Sequence, residues 1–201
     1  IMKRIFLSFL FFFVGSFLVQ TKAISYSSDP ESFISEVIDE AKVILSSSSS
    51  SEEKAEKLSQ IALKTVDVKG LAYYTLGKKR KELTPEQLKK YEDLFEKYFL
   101  KSFTSRLTDY SDPKISVLSS EVVNNKYTIV KTMLLKTDKK PEVKIDWRVY
   151  TNDPDNPLIR DLIIEGLSLA RTQKEEFASV LSNNNNDINS LFSTLEKFVN
   201  K

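Results

Sequence analysis

Residues 76–103 constrain the fold most, because they combine a basic turn, a strong helix start and a long apolar stripe. The start is predicted by Thr84, Pro85 and Gln87: the threonine hydroxyl can accept from a backbone N–H, Gln87 can reach back, and proline suits the first helical position. The stripe follows at three- and four-residue spacings, on one helix face. Its members are Leu88, Tyr91, Leu94, Phe95, Tyr98, Phe99, Phe103 and Leu107. Such a helix belongs either to a solid core or to the wall of a cavity for an apolar ligand.

The N-terminal segment has the three parts of a secretory signal. It opens with Lys3 and Arg4, continues with an apolar run over residues 5–19, and ends in the small residue Ala23. The run is shorter than the ~20 residues that a bilayer-spanning helix needs. We therefore expect residues 1–23 to be a signal peptide that is cleaved near Ala23, the alternative being an uncleaved membrane anchor.

The net charge of the exported chain argues against nucleic-acid binding. Removing residues 1–23 takes away Lys3, Arg4 and Lys22 and no acid, so 30 basic residues become 27 against 28 acids, and the net charge changes from +2 to −1. Nucleic-acid binders depend on an excess of positive charge to neutralise phosphates. The remaining residues 24–201 suit a single domain with a sizeable core.

The composition offers few of the residues on which enzymatic catalysis usually depends. The chain contains no histidine and no cysteine, which removes the commonest general base and the commonest metal ligands. No Gly-x-Ser-x-Gly nucleophile elbow is present, and no pair of acids stands out from the surface charge. We therefore expect that the chain is not an enzyme.

The first half of the chain reads as helical. Asp29 and Pro30 predict a capped helix start, and further helices are predicted over residues 52–66, 67–74 and 85–110. After the strands described next, Thr172 and Glu175 form a second candidate capping box. A terminal helix carries an apolar face, which comprises Ile188, Leu191, Phe192, Leu195, Phe198 and Val199.

Between these helical regions the hydrophobic period changes. Four segments are rich in β-branched and aromatic residues and are separated by turn-forming residues. They span residues 114–122, 127–137, 143–150 and 158–165. Short connections predict an antiparallel meander. The fold class is therefore α+β, with a curved antiparallel sheet of four to five strands and helices packed on one face, around either a solid core or an apolar cavity.

Two stretches of the chain, taken together, resemble the MlaC-like, or toluene-tolerance, family of periplasmic phospholipid carriers of Gram-negative bacteria. The first is Leu-Gly-Lys-x-x-Lys-x-Leu-Thr-Pro-Glu-Gln at residues 76–87, and the second is Asp-Leu-Ile-Ile-Glu-Gly-Leu-Ser-Leu at residues 161–169. Asp-Trp-Arg at residues 146–148 accompanies them. The chain departs from the family at Lys78, where arginine is usual.

The resemblance implies a soluble periplasmic shuttle that holds the acyl chains of a phospholipid in an apolar cavity between sheet and helices, with the head group near solvent. It also implies two partners in a system that maintains outer-membrane lipid asymmetry. One is an outer-membrane complex of a lipoprotein with a porin. The other is an inner-membrane ABC transporter with an anchored lipid-binding subunit. No metal and no cofactor take part in this function.

The resemblance, together with the apolar patterns, gives a set of predicted lipid-binding residues. Those on the long helix are Phe95, Phe99 and Phe103. Those on the sheet are Ile129, Met133, Ile145, Trp147 and Val149. Those at the mouth or on the opposite wall are Leu71, Leu76, Ile163, Leu167 and Leu169.

Charged residues near these positions have two interpretations each. Arg148 and Asp161 lie on strands expected to be neighbours, which predicts a cross-strand ion pair; the alternative is that Arg148 meets a lipid phosphate. The basic run over residues 78–81 is either a solvated charge run or a contact for anionic head groups or an acidic partner.

Other functions remain open at this stage. The apolar faces could pack a solid core in an exported protein-interaction module. A carrier of another apolar molecule, such as a hopanoid, would differ only in the shape of its cavity. A cone-shaped α+β enzyme is disfavoured by the missing histidine.

Overall fold

The computed structural model describes residues 25–108, 110–137 and 141–201, so the predicted signal peptide and its cleavage site lie outside the described residues. The helices are α1 (Pro30–Ser46), α2 (Ser51–Thr65), α3 (Val68–Leu76), α4 (Pro85–Leu107), α5 (Leu169–Ser182) and α6 (Ile188–Val199), with a 3₁₀ turn over Gly77–Glu82. The strands are β1 (Ile115–Asn124), β2 (Tyr127–Leu134), β3 (Val143–Tyr150), β4 (Leu158–Ile164) and β5 (Leu167–Ser168). In this part of the chain no helix is both long enough and apolar enough to cross a membrane.

Side-chain caps fix where the helices begin. The predicted capping box of α4 is confirmed: Thr84 Oγ1 accepts from the Gln87 N–H at 3.2 Å, and Gln87 Oε1 accepts from the Thr84 N–H at 3.0 Å. The predicted capping box at Thr172 is wrong. Helix α5 begins at Leu169 because Ser168 caps it, and Thr172 Oγ1 instead donates to the Ser168 carbonyl at 3.0 Å.

The five strands form one antiparallel sheet in the order β1-β2-β3-β4-β5, which confirms the predicted meander. Helix α1 packs against β1 and β2, while α3 and α5 pack beside β4, and α4 packs against α2, α3 and α6. The turn between β4 and β5 contains Glu165 at φ 50° and Gly166 at φ 83°. Glycine suits this left-handed backbone, and the turn lets the chain double back within two residues before α5 begins.

The register sorts the sheet residues onto two faces. Val130 pairs with Trp147 and Thr132 with Ile145, so these four side chains share the face that we call the inner face. Ile129 pairs with Arg148, and both lie on the opposite, outer face. The inner face is the one that packs against α1, because Val130 lies in a buried cluster with residues of that helix.

Buried side chains form two clusters. The helical cluster joins α3 to α6 and consists of Val68, Ala72, Leu76, Tyr91, Phe95, Phe177, Leu181, Ile188, Leu191, Phe192 and Leu195. The sheet cluster joins α1 and α2 to the sheet and consists of Phe33, Ile34, Val37, Ile38, Ile61, Val130, Val149 and Ile159. Val66 packs against both clusters and forms a parallel bridge with Ile159.

Candidate functional site

Three phenyl rings form a ladder along α4. Phe95 and Phe99 stack with centroids 6.3 Å apart and an interplanar angle of 13°, and Phe99 and Phe103 stack at 5.8 Å and 10°. The four-residue spacing places each ring above the next on one helix face. Phe95 is buried in the helical cluster, whereas Phe99 and Phe103 are half-buried. The ladder therefore leads from a closed core to apolar surface that the protein itself leaves incompletely covered.

The inner face of the sheet offers a second incompletely covered apolar surface. Ile145 and Trp147 are half-buried there, and they pair with Ile164 and Leu162 of β4, which are half-buried on the same face. Trp147 packs against the sheet cluster. These four side chains supply a broad apolar surface beside the closed part of the sheet core.

The polar atom of the indole is satisfied within the protein. Trp147 Nε1–H donates to Thr132 Oγ1 at 3.0 Å, and Thr132 Oγ1 donates to the Ile145 carbonyl at 2.8 Å. A buried donor without a partner would favour a polar neighbour. Since the donor is already paired, the exposed part of the ring can contact an apolar ligand without an unsatisfied group.

Three of the predicted lipid-binding residues are closed core. Phe95, Leu76 and Val149 have exposed fractions of 3%, 4% and 0%. Leu71 is half-buried and packs against the helical cluster. Such positions shape the site from behind, and a ligand can reach the core residues only when their neighbours move.

Other predicted residues lie away from the inner face. Ile129 pairs with Arg148, Met133 with Lys144, and Ile163 with Asp146, all on the outer face. Strand pairing therefore separates Ile129, Met133 and Ile163 from Trp147 by the thickness of the sheet. The sequence predicted Ile129 and Met133 on the sheet wall with Trp147, and Ile163 at the mouth or on the opposite wall.

The last two predicted residues mark the edge of the sheet. Leu167 in β5 pairs with Ile164 in β4, and its side chain is 60% exposed. Leu169 is the first residue of α5 and is half-buried. Sequence reasoning missed Leu162 and Ile164, which share the inner face with Trp147. The sequence shows that Leu162 and Ile164 alternate with Ile163, but it does not show which of these residues lie on the same face as Trp147.

Asp161 ties β4 to the start of α5. Its buried carboxylate accepts from Ser168 Oγ at 2.6 Å and from the Ala170 N–H at 3.0 Å. The predicted cross-strand ion pair is confirmed, with Arg148 Nη1 at 3.7 Å from Asp161 Oδ2. Arg148 lies on the outer face, so its charge is separated from the apolar inner face by the sheet.

A second polar contact closes the helical cluster. The Tyr91 hydroxyl lies 2.8 Å from Thr75 Oγ1, and that threonine donates to the Ala72 carbonyl at 2.9 Å, so the tyrosine is the donor to Thr75. Burial raises the pKa of the Tyr91 hydroxyl well above its ordinary value. No group of three or more acidic side chains in the described ranges is placed to hold a metal ion.

The family model described as MlaC protein matches residues 35–197. This chain belongs to the MlaC family. The match includes both stretches that carried the resemblance, at residues 76–87 and 161–169, and the resemblance is confirmed. Among curated proteins none matches this MlaC-family chain significantly.

A solved structure has a fold similar to that of this MlaC-family chain. It is a phospholipid-binding protein from Ralstonia solanacearum in complex with a phospholipid, with a TM-score of 0.71 and 18% sequence identity. The similarity covers 83% of this chain and 94% of that chain. At this level of identity the similarity establishes the shared α+β fold.

Proposed function

We propose that this MlaC-family protein is a phospholipid-binding carrier that buries acyl chains against its half-covered apolar surfaces. The observation that carries the proposal is that each buried cluster has half-buried apolar residues at its margin. Phe99 packs against the helical cluster and Trp147 against the sheet cluster. The phospholipid bound to the Ralstonia solanacearum protein of the same fold supports this class of ligand.

The energetics of such a cargo require burial rather than polar recognition. Burying a methylene group contributes ~0.8 kcal/mol, so two acyl chains with roughly 30 methylenes gain about 25 kcal/mol on leaving water. A carrier has to match much of that gain to extract a lipid. It also has to release the lipid, which favours adaptable apolar contacts over many fixed head-group contacts.

We assign the acyl chains to the ladder on α4 and to the inner face of the sheet, which together we call the inner surface. Its residues are Phe99, Phe103, Ile145, Trp147, Leu162 and Ile164. Behind them Leu71, Leu76, Phe95 and Val149 support the wall, and Leu167 and Leu169 border it. Ile129, Met133 and Ile163 lie on the outer face and do not belong to this surface.

The transport role that we propose is a shuttle across the periplasm after cleavage of the signal peptide near Ala23. The donor and acceptor complexes are the outer-membrane lipoprotein–porin complex and the inner-membrane ABC transporter with its anchored lipid-binding subunit. Family membership supports this role. The protein acts by binding and release and catalyses no reaction.

The first experiment is mass spectrometry of organic extracts from the chain expressed into a bacterial periplasm and purified without detergent. Near-stoichiometric phospholipid is the expected result. A folded, lipid-free protein that also fails to take up lipid from vesicles would overturn the carrier function and favour an interaction module with a solid core. If another apolar molecule, such as a hopanoid, is extracted instead, the protein is a carrier of that molecule and not of phospholipid.

A matched pair of variants on α4 locates the site. Phe99→Arg places a charge on the ladder and should abolish lipid loading, because an unpaired charge is costly in apolar surroundings. Glu96→Arg introduces the same side chain at an exposed position of the same helix and should load normally. Circular dichroism checks that both variants fold. Normal loading of a folded Phe99→Arg variant would move the site away from the ladder.

A further inference from the structure

A cleft lies on the side of α3 that faces away from the helical cluster. It is lined by two glycines and by three basic side chains. The cleft has a volume of about 440 Å³. Its lining residues are Gly70, Tyr73, Tyr74, Gly77, Arg80, Arg160 and Lys174. Helix α3 turns Ala72 and Leu76 into the helical cluster, so its two sides serve different surroundings. The cleft is therefore distinct from the inner apolar surface.

Arg160 forms a rigid wall of the cleft. Its Nε donates to Asp67 Oδ2 at 2.6 Å, its Nη2 forms an ion pair with the same oxygen at 2.6 Å, and its Nη1 donates to the Tyr127 hydroxyl at 3.1 Å. Its guanidinium also lies 3.7 Å from the centroid of the Tyr150 ring. Asp67 balances its charge, but two of the five guanidinium N–H groups have no partner in these contacts and can donate to a ligand.

Two other cations of the cleft have no carboxylate to balance them. Arg80 lies over the Tyr73 ring at 4.9 Å and Lys174 lies over the Tyr74 ring at 4.8 Å. Neither cation forms an ion pair with a described residue. The nearby Glu92 is already engaged by Lys69 at 3.3 Å and by the Tyr73 hydroxyl. The cleft therefore holds two uncompensated positive charges whose positions the aromatic rings define.

The two glycines leave room for the side chains of Asp67 and Lys174 beside α3. A Cβ atom at Gly77 would come within 3.2 Å of Lys174 Cε, and the backbone of Gly77 has φ 56°, in the left-handed region. A Cβ atom at Gly70 would lie 2.2 Å from Asp67 Oδ2 and would disrupt the carboxylate that holds Arg160. Side chains at these positions would displace two of the three cations.

We propose that this cleft binds a phosphate group through Arg80, Lys174 and the free N–H groups of Arg160. Guanidinium and ammonium groups are the common protein ligands of phosphate oxygens, and charge-assisted hydrogen bonds to them are strong. The phosphate belongs either to a free phosphate ion or to a lipid head group at a bilayer surface. The two sources share the same chemistry at the cleft.

The test compares two double variants that remove the same charge. Arg80→Gln with Lys174→Gln neutralises the cleft, and Lys78→Gln with Lys81→Gln neutralises two exposed lysines of the same 3₁₀ turn that do not line it. Isothermal titration with inorganic phosphate forms one arm. Co-sedimentation with phosphatidylcholine vesicles, with and without phosphatidylglycerol, forms the other.

We expect the cleft variant to weaken binding by about tenfold or more, because it loses charge-assisted hydrogen bonds. The control variant should change binding by about twofold at most, since its lysines act only through screened charge. An effect in the titration identifies free phosphate, and an effect confined to the anionic vesicles identifies a head group. Equal behaviour of the two variants in both arms overturns the proposal.

A third readout needs no variant. In a titration of the wild-type protein with inorganic phosphate or a short-chain phosphatidylglycerol, the backbone amide signals of Gly70 and Gly77 should shift, while that of Gly166, outside the cleft, should stay in place. Unmoved Gly70 and Gly77 signals with both probes would overturn the proposal. Because lipid loading of the inner surface is measured separately, failure here leaves the carrier function untouched.

Discussion

Trp147 on β3 donates its indole N–H to the hydroxyl of Thr132 on β2, at 3.0 Å. The two residues lie diagonally on the inner face, since Thr132 pairs with Ile145 and Trp147 with Val130. This bond fixes the orientation of the ring at the margin of the sheet cluster. Trp147 is also the single tryptophan of the chain, so its fluorescence reports on this surface alone.

Thr132→Val keeps the shape of the side chain and removes the acceptor of the indole N–H. We expect the free energy of unfolding to fall by about 1–3 kcal/mol, because the buried donor is left without a partner. Urea unfolding followed by Trp147 fluorescence gives the measurement. Thr128→Val is the control, since Thr128 is buried on the same face but pairs with Val149. Equal losses in the two variants would show that the hydrogen bond contributes nothing specific.

The two faces of the sheet should differ in their effect on lipid binding. Ile145→Gln on the inner face should weaken lipid binding by about fivefold or more, because burying an unpartnered amide against acyl chains costs about 1–3 kcal/mol. Ile129→Gln and Met133→Gln on the outer face should leave binding within about twofold of the wild type. Lipid uptake from vesicles, quantified by mass spectrometry, compares the three. Loss of binding in an outer-face variant would indicate that the acyl chains bind to the outer face and would contradict the assignment to the inner face.

Tyr91 should make the protein less stable at alkaline pH. Burial raises the pKa of its hydroxyl above the unfolded value of about 10, so its contribution is complete below about pH 10 and is lost as the pH rises towards the folded pKa. In that window the wild-type free energy of unfolding should fall more steeply than that of Tyr91→Phe, by up to about 1.4 kcal/mol per pH unit. Denaturant unfolding at several pH values measures both slopes. A slope for Tyr91→Phe as steep as that of the wild type would contradict the prediction.

Asp161 should stabilise the β4–α5 junction mainly through its hydrogen bonds and little through its ion pair. Asp161→Asn should lower the free energy of unfolding by about 1–3 kcal/mol, because charge-assisted bonds from Ser168 and Ala170 are weakened. Arg148→Gln removes only the 3.7 Å ion pair of a partly exposed arginine and should cost less than about 1 kcal/mol. Chemical unfolding measures the loss of unfolding free energy in each of the two variants. A larger loss for Arg148→Gln would reverse the order of importance.

Local patterns predicted several elements well. Strand β3 runs from Val143 to Tyr150 as expected, because its alternation of apolar and charged residues is unbroken. The start of α4 at Pro85 followed from a complete capping box. The start of α5 did not follow from Thr172, because Ser168 comes earlier and its role as cap depends on the turn at Gly166.

The side of the sheet on which each residue lies was harder to predict, for two physical reasons. In β2 the inner face carries Thr128 and Thr132, whose hydroxyls made that face look polar, while the outer face carries the apolar Ile129 and Met133. In the pairing of β3 with β4 the register shifts between Arg148 and Val149, so the phase of Ile163 relative to β3 could not be read from spacing. Both depend on pairing between strands, which a single sequence does not display.

Val66 packs against both clusters and marks the junction between them. Parting the two clusters breaks the packing of Val66, the 3.0 Å bond from the Asp67 N–H to the Ile159 carbonyl, the Arg160–Asp67 ion pair and the packing of α3 and α5 against β4. The buried side chains within each cluster stay packed against one another, and regions with fewer buried contacts than the cores they join open at lower free energy. On the proposed carrier function, a parting between the clusters would give an acyl chain a route in and out while each cluster stays folded.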